Sequence, residues 1–216
     1  MGTTSTLESS MERDGVMKNT HEGSAYDTAA SGTCAVSDPN EVEYYRRIDE
    51  CANTKANVFI ENGLPVHALY LLRKMFSEAQ RSICLFSGNL CLERENVKIY
   101  SDPVLIENAK EFLRRGGELR IVIENNLHCE INHHPMIAGF NEVADAKVKV
   151  AQLKSGSGGN HFVVVDDNAY RIEHDDGKTK AIANFGDNKV ARERKKYFDT
   201  SLFPFSDQIY PTLTLA

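Results

Sequence analysis

Apolar positions first recur at helical spacing between Leu64 and Ala79, where Val66, Leu69, Leu72, Met75, Phe76 and Ala79 fall three and four residues apart. Arg73, Lys74 and Glu78 lie off that stripe, so the segment reads as a helix packed on a sheet. A helix of the same length is predicted over Glu41 to Ala56, with Asp38 as a cap, Pro39 just before it, and Tyr45, Ile48 and Ala52 on one face. Ser82 to Ser87 carries the run Ile83, Cys84, Leu85 and Phe86, which has the length and character of a buried strand. Asp102-Pro103 opens another helix, with Leu105, Ala109, Phe112 and Leu113 inward and Gly116-Gly117 as its stop. Glu118 to Glu124 then reads as a second buried strand, and strand, helix, strand in this order predicts a right-handed βαβ unit with a parallel pair.

The second half has a shorter rhythm. Lys147 to Leu153 alternates apolar and polar residues, and the glycine-serine run 155–159 joins it to an apolar strand over His161 to Asp166. Asp167-Asn168 is turn chemistry, so Ala169 to Glu173 is expected to return as a hairpin partner. A further strand is expected over Thr179 to Asn184, and then a last helix, capped by Asp187 or Asn188, that runs to about Phe198. The expectation is a mixed, partly parallel sheet flanked by helices, an α/β class. Residues 1–40 are rich in Ser, Thr, Gly, Ala and Asp and nearly without aliphatics, so they are read as a disordered leader before a domain over 41–216.

Composition narrows the function classes. The 216 residues contain no apolar run near the roughly 20 needed to cross a bilayer and no secretory signal at the start, so a soluble, cytoplasmic protein without a membrane partner is expected. Twenty-five basic against 31 acidic residues give a net charge of −6, which repels nucleic acid as a whole and requires a local patch for any phosphate-bearing ligand. Cys34, Cys51, Cys84, Cys91 and Cys129 form an odd set without framework spacing and are read as free thiols in a reducing compartment.

Four polar groupings could carry chemistry. His161, at a strand start after a glycine-serine loop, suits a nucleophile or general base, or a plain strand-end hydrogen bond. Arg171 and Glu173, two apart on a strand, share a face and suit either phosphate recognition or a surface ion pair; Asn184, ending the next strand, is expected near the same rim. His128, Cys129, His133 and His134 follow the second strand at its carboxyl end but match no established zinc spacing, so a polar loop is expected and no cofactor is assigned. Lys189, Arg192, Arg194, Lys195 and Lys196 against the single Glu193 make the last helix basic, suited to phosphate contact or a solvated face.

The stretch Asp102 to Ile123, the run His161-Phe-Val-Val-Val-Asp-Asp-Asn, and Ala183-Asn-Phe-Gly-Asp with the following helix to Phe205 together resemble one unit of the phospholipase D superfamily. The likeness spans roughly Leu64 to Phe205. It implies a histidine that attacks phosphorus, a lysine two residues on that binds the phosphate oxygens, an aspartate five after that, and a supporting Gly-Ser-x-Asn stretch. Of these only His161 matches: Val163 stands in the lysine place, Asn168 in the aspartate place, and 184–187 is a distant version of the supporting stretch. Arg171 is the candidate replacement cation, with Glu173 and Asn184 positioning. The family site also takes two facing units, and this chain has one, so the resemblance implies a homodimer or a subunit of a larger complex. Two functions follow: a catalytically divergent module that binds a phosphate-bearing ligand, nucleic acid or partner protein, or an active phosphodiesterase or nuclease with His161 as nucleophile. Metal-dependent hydrolysis at the His128 to His134 cluster is a third.

Overall fold

The structure, a computed structural model, describes residues 39–91, 97–124, 130–154, 159–174 and 180–211. The expected leader lies outside them apart from its last two residues. Helices α1 (Pro39–Thr54), α2 (Pro65–Glu78), α3 (Pro103–Arg114), α4 (Pro135–Asn141) and α5 (Asn188–Tyr197) flank strands β1 (Ile60–Asn62), β2 (Ser82–Ser87), β3 (Glu118–Ile123), β4 (Lys147–Leu153), β5 (Phe162–Val165), β6 (Ala169–Glu173), β7 (Ala181–Asn184) and β8 (Ser206–Tyr210).

All eight strands form one sheet in the order β1-β7-β6-β5-β2-β3-β4-β8. β2, β3 and β4 are parallel, and every other pairing is antiparallel. The sheet is therefore mixed, with its parallel part buried on both faces, as the continuous apolar runs of β2 and β3 require. One face carries Ile83, Leu85, Ile121, Val150, Val163 and Ala183 against α1 to α4. The other carries Cys84, Phe86, Val122, Phe162, Val164 and Tyr170 against Ala191, Phe198 and Leu202 at the C-terminal end of the chain.

Local chemistry sets the joints. Asp102 caps α3 by accepting from the Leu105 amide at 2.8 Å and also pairs with Arg73 on α2, tying the two helices together. Gly117 follows α3 because any Cβ there would collide with the Phe112 ring. Asp166, at φ +52, closes the β5–β6 turn and accepts three backbone amides, from Gln80, Arg81 and Ser82, at 3.1, 2.7 and 3.0 Å. That carboxylate fixes the start of β2 against the end of β5.

Three elements and one bond differ from expectation. β1 has only three residues, too few for a periodicity, and β8 is a half-exposed edge strand after the last helix. α4, for which no helix is expected, starts at Pro135 directly after the stretch 128–134 read as a polar loop, with His134 as its cap. Cys51 and Cys84 are free and buried, but Cys91 is disulfide-bonded, which corrects the reading of five free thiols and removes the thiol argument for a reducing compartment. Among the described residues no helix is long and apolar enough to cross a membrane.

Candidate functional site

His161 immediately precedes β5, and the two-residue period of a strand puts it on the same side of the sheet as Val163. Val163 lies opposite Arg171 on β6, so Arg171 and Glu173 rise from that same side. The Glu173 amide donates to the His161 carbonyl at 2.9 Å, which holds the β5 start beside the β6 end. Glu124 follows β3 and donates its backbone N–H to Ser87 at 3.0 Å, so it stands at the carboxyl end of the parallel strands. These four polar side chains are thus brought together by sheet register rather than by loops.

His161 sits between two carboxylates. Its Nε2 is 3.2 Å from Glu124 Oε2 and its Nδ1 is 3.4 Å from Glu173 Oε2. The other oxygen of Glu173 accepts from Arg171 Nη1 at 2.8 Å, and Arg171 Nε donates to Asn62 Oδ1 at 3.2 Å. The Arg171 side chain is only 4% exposed and that of His161 14%. Behind the imidazole lie the edge of Phe86 and the backbone of Gly88, where a Cβ would come within 2.9 Å of the ring.

The electrostatics follow from this clamp. Burial works to lower the His161 pKa, but the hydrogen bonds and charges of Glu173 and Glu124 outweigh it, and the net shift is upward. Burial works to raise the Glu173 pKa, yet His161 and Arg171 carry it below the carboxylate norm. Tyr100 completes the surroundings: burial and the Glu173 charge push its phenol up to about 12, against Arg171 and a hydrogen bond with Ser87.

Asn184 is not part of this group. It pairs with Tyr170, at the opposite end of β6 from Glu173, because β7 runs back along β6. Its Oδ1 accepts the amides of Gly186 and Asp187 at 2.8 and 2.9 Å, and its Nδ2 donates to Asn57 Oδ1 at 2.9 Å. It shapes the turn from which Asp187 caps α5. Val163, in the lysine place, is buried in the core, and Asn168 donates to the Phe185 carbonyl at 2.8 Å. Glu124 and Asn62 were not singled out from the sequence. The position of Glu124 at the end of a parallel strand is the signal that points to it, whereas Asn62 belongs to a strand too short to predict.

The histidine cluster divides. His128 and Cys129 lie outside the described residues. His133 pairs with Glu130 at 2.7 Å, both strongly exposed. His134 is buried, with Nδ1 accepting the Met136 amide at 3.2 Å and Nε2 donating to the Leu90 carbonyl at 3.1 Å. Both of its nitrogens are spent on the fold. Among the described residues no group of three or more His, Cys, Asp or Glu side chains is placed to hold a metal ion.

No known family's sequence model matches the chain, and no curated protein matches it. Solved structures do. TrmBL2, an archaeal chromatin protein with a novel mode of DNA binding, superposes with a TM-score of 0.53 at 14% identity over 79% of this chain, which spans 61% of that protein's length. NucT from Helicobacter pylori matches with a TM-score of 0.50 at 13% identity, over 70% of this chain and 99% of that one. Nuc from Salmonella typhimurium, a phospholipase D family member, matches with a TM-score of 0.50 at 14% identity, over 70% and 97%. At these identities the likeness is one of fold.

Proposed function

We propose that this chain, whose fold is phospholipase D-like, is a catalytically silent module that binds a phosphate-bearing ligand without cleaving it, as a homodimer or a subunit of a larger complex. The observation that carries the reading is Glu124 Oε2, 3.2 Å from the Nε2 of His161. A nitrogen that attacks phosphorus has to be deprotonated and open to the phosphate. Here it faces a carboxylate that favours its proton and repels an anion. The rest of the cluster supports the same view. Val163 leaves no ammonium beside the histidine, and one preorganised donor of that kind is worth about 3 to 4 kcal/mol in a transition state. Arg171 does not replace it freely, since its guanidinium is engaged by Glu173 and Asn62. The chromatin protein that shares the fold binds DNA, which supports nucleic acid as the ligand.

A second reading, an active phosphodiesterase, is favoured by one contact: Glu173 engages Nδ1 of His161 at 3.4 Å, as a group orienting a nucleophilic ring would. In a homodimer a second His161 would then serve as the general acid. The test is hydrolysis of single- and double-stranded DNA, RNA and a chromogenic phosphodiester, with and without chelator, beside His161→Ala. No turnover above the variant is expected. Hydrolysis that persists in EDTA and disappears in His161→Ala overturns the silent reading, and hydrolysis that needs a metal moves the chemistry elsewhere. Sedimentation equilibrium at twice the 24.1 kDa chain mass supports the homodimer.

A further inference from the structure

The end of the sheet opposite His161 carries a different electrostatic arrangement. On α5, Ala191 is buried, and Val190, Arg194 and Tyr197 are half-buried against the sheet. Lys189, Arg192 and Lys196 follow the three- and four-residue spacing of one stripe and are exposed. Their side chains form no hydrogen bond or ion pair among the described residues. Beside them, Lys195 Nζ reaches Asp167 Oδ1 and Ser82 Oγ, each at 3.0 Å, and Arg81 Nη2 reaches Asp167 Oδ2 at 3.0 Å. The Asp167 carboxyl is held below its usual range by the Lys195 hydrogen bond and by the charges of Lys195, Arg81 and Arg192. Arg81, Lys189, Arg192, Arg194, Lys195 and Lys196 stand against Asp167, Asp187, Glu193 and Asp199, and Asp199 is itself paired with Arg120, so a local excess of positive charge remains in an acidic protein.

The whole-chain charge does not oppose this. Of the net −6, residues 1–38 contribute most, with six acidic and two basic side chains.

We propose that the outer face of α5, with Arg81, is a docking surface for the sugar-phosphate backbone of a nucleic acid duplex. The proposal deepens the nucleic-acid reading above, does not depend on whether His161 is silent, and places contact at the other end of the sheet. The stripe from Lys189 to Lys196 rises about 10 Å along the helix axis, and about that length of duplex carries roughly six phosphates. Long flexible cations, with Asn188 at the helix start as the amide beside them, suit backbone contact more than base readout, so binding is largely independent of sequence. A lipid surface would call for an apolar wedge beside the cations. The large exposed hydrophobics, Val42, Val58, Phe59, Leu64, Val66, Val104 and Phe205, all lie off α5. An acidic protein partner would call for an aromatic or aliphatic anchor, and the stripe offers none.

The test is fluorescence polarisation of the full chain with a labelled 20-base-pair duplex in a salt titration. Four engaged phosphates give a slope of log K against log salt of about −3.6, and Lys189→Gln/Arg192→Gln/Lys196→Gln lowers its size by about 2.7 and weakens binding at least tenfold at low salt (roughly, by counterion release). Asp167→Asn, which releases Arg81 and Lys195 from their counter-ion, strengthens binding. A charge-matched control on the helical layer, Arg47→Gln/Lys110→Gln/Arg114→Gln, leaves it unchanged. Equal loss in the control, no loss in the α5 variant, or tighter binding to anionic vesicles or a poly-glutamate peptide than to duplex overturns the proposal. Binding lost in His161→Ala but kept in the α5 variant overturns it while sparing the nucleic-acid reading, and no binding to any duplex at low salt sinks both.

Discussion

Glu173→Gln tests the charge clamp around His161 directly. The substitution keeps the shape of the side chain but removes the charge that faces both Arg171, at 2.8 Å, and His161, at 3.4 Å. Arg171 cannot turn to water, since its side chain is 4% exposed, and Asn62 offers it only a neutral oxygen. Breaking a buried ion pair on one side costs about 3 to 5 kcal/mol. The glutamine oxygen still accepts from Arg171 and Glu173 is itself partly exposed, so the cost falls to or below the lower end, about 2 to 3 kcal/mol, or a fall in melting temperature of about 4 to 12 °C for a domain of this size. The pH dependence carries a second signature. His161 has a folded pKa above its ordinary 6.5, so its contribution is complete below 6.5 and is lost as pH rises through the folded value. Glu173 has a folded pKa below its ordinary 4.5, so its contribution is present above 4.5 and is lost as pH falls through the folded value. Wild-type stability therefore gains from the clamp most strongly between the two, and the variant flattens that profile. Urea unfolding across pH 4 to 8, with an NMR titration of His161, measures both. A variant within about 0.5 kcal/mol of wild type, the scatter of ordinary surface changes, with an unmoved imidazole midpoint, would refute the clamp.

Two further outcomes follow from polar groups that hold the frame. His134→Ala removes the α4 cap and the bond to the Leu90 carbonyl and costs about 1 to 2 kcal/mol near neutral pH; because burial lowers the His134 pKa, the wild type loses stability as pH falls below 6.5, and thermal melts at pH 5 and 7 should show the variant losing less of it. Asp166→Ala removes the two oxygens that accept three backbone amides and puts a Cβ residue without a polar side chain at φ +52, for about 3 to 5 kcal/mol, whereas Asp166→Asn keeps an acceptor and tolerates that φ at a smaller cost, a ranking that chemical denaturation checks.

Much of the frame was legible because its signals are local. β2, β4 and β6 announce themselves through apolar runs or alternation bounded by turns, and α3 through Asp102-Pro103 and the two glycines. What local signals cannot carry is who pairs with whom. β1 is three residues long and joins β7, with Ile60 opposite Ala183, and β8 closes the far edge against β4. The same limit governs the site. Arg171 and Glu173 could be placed on one face from their two-residue spacing, but the expectation for Asn184 required knowing which way β7 runs, and the antiparallel return carries it to the opposite end of the sheet. Glu124 was visible as a strand terminus; its position against His161 appears only when the β2–β3 and β2–β5 registers are combined.

A structural role for His161 follows from its two carboxylate neighbours. Glu124 and Glu173 approach the ring from its two nitrogens, and both are largely withdrawn from water. An apolar residue in place of the imidazole would remove the positive charge that the protonated ring presents to both carboxylates, at 3.2 and 3.4 Å. The histidine is therefore the counter-ion that lets Glu173 stay ionised for Arg171, and Arg171 in turn, through Asn62, ties β6 to the short β1 strand at the sheet edge. His161 thus links Glu124 to the Glu173–Arg171 ion pair, and the chain of contacts runs on through Arg171 to a hydrogen bond with Asn62.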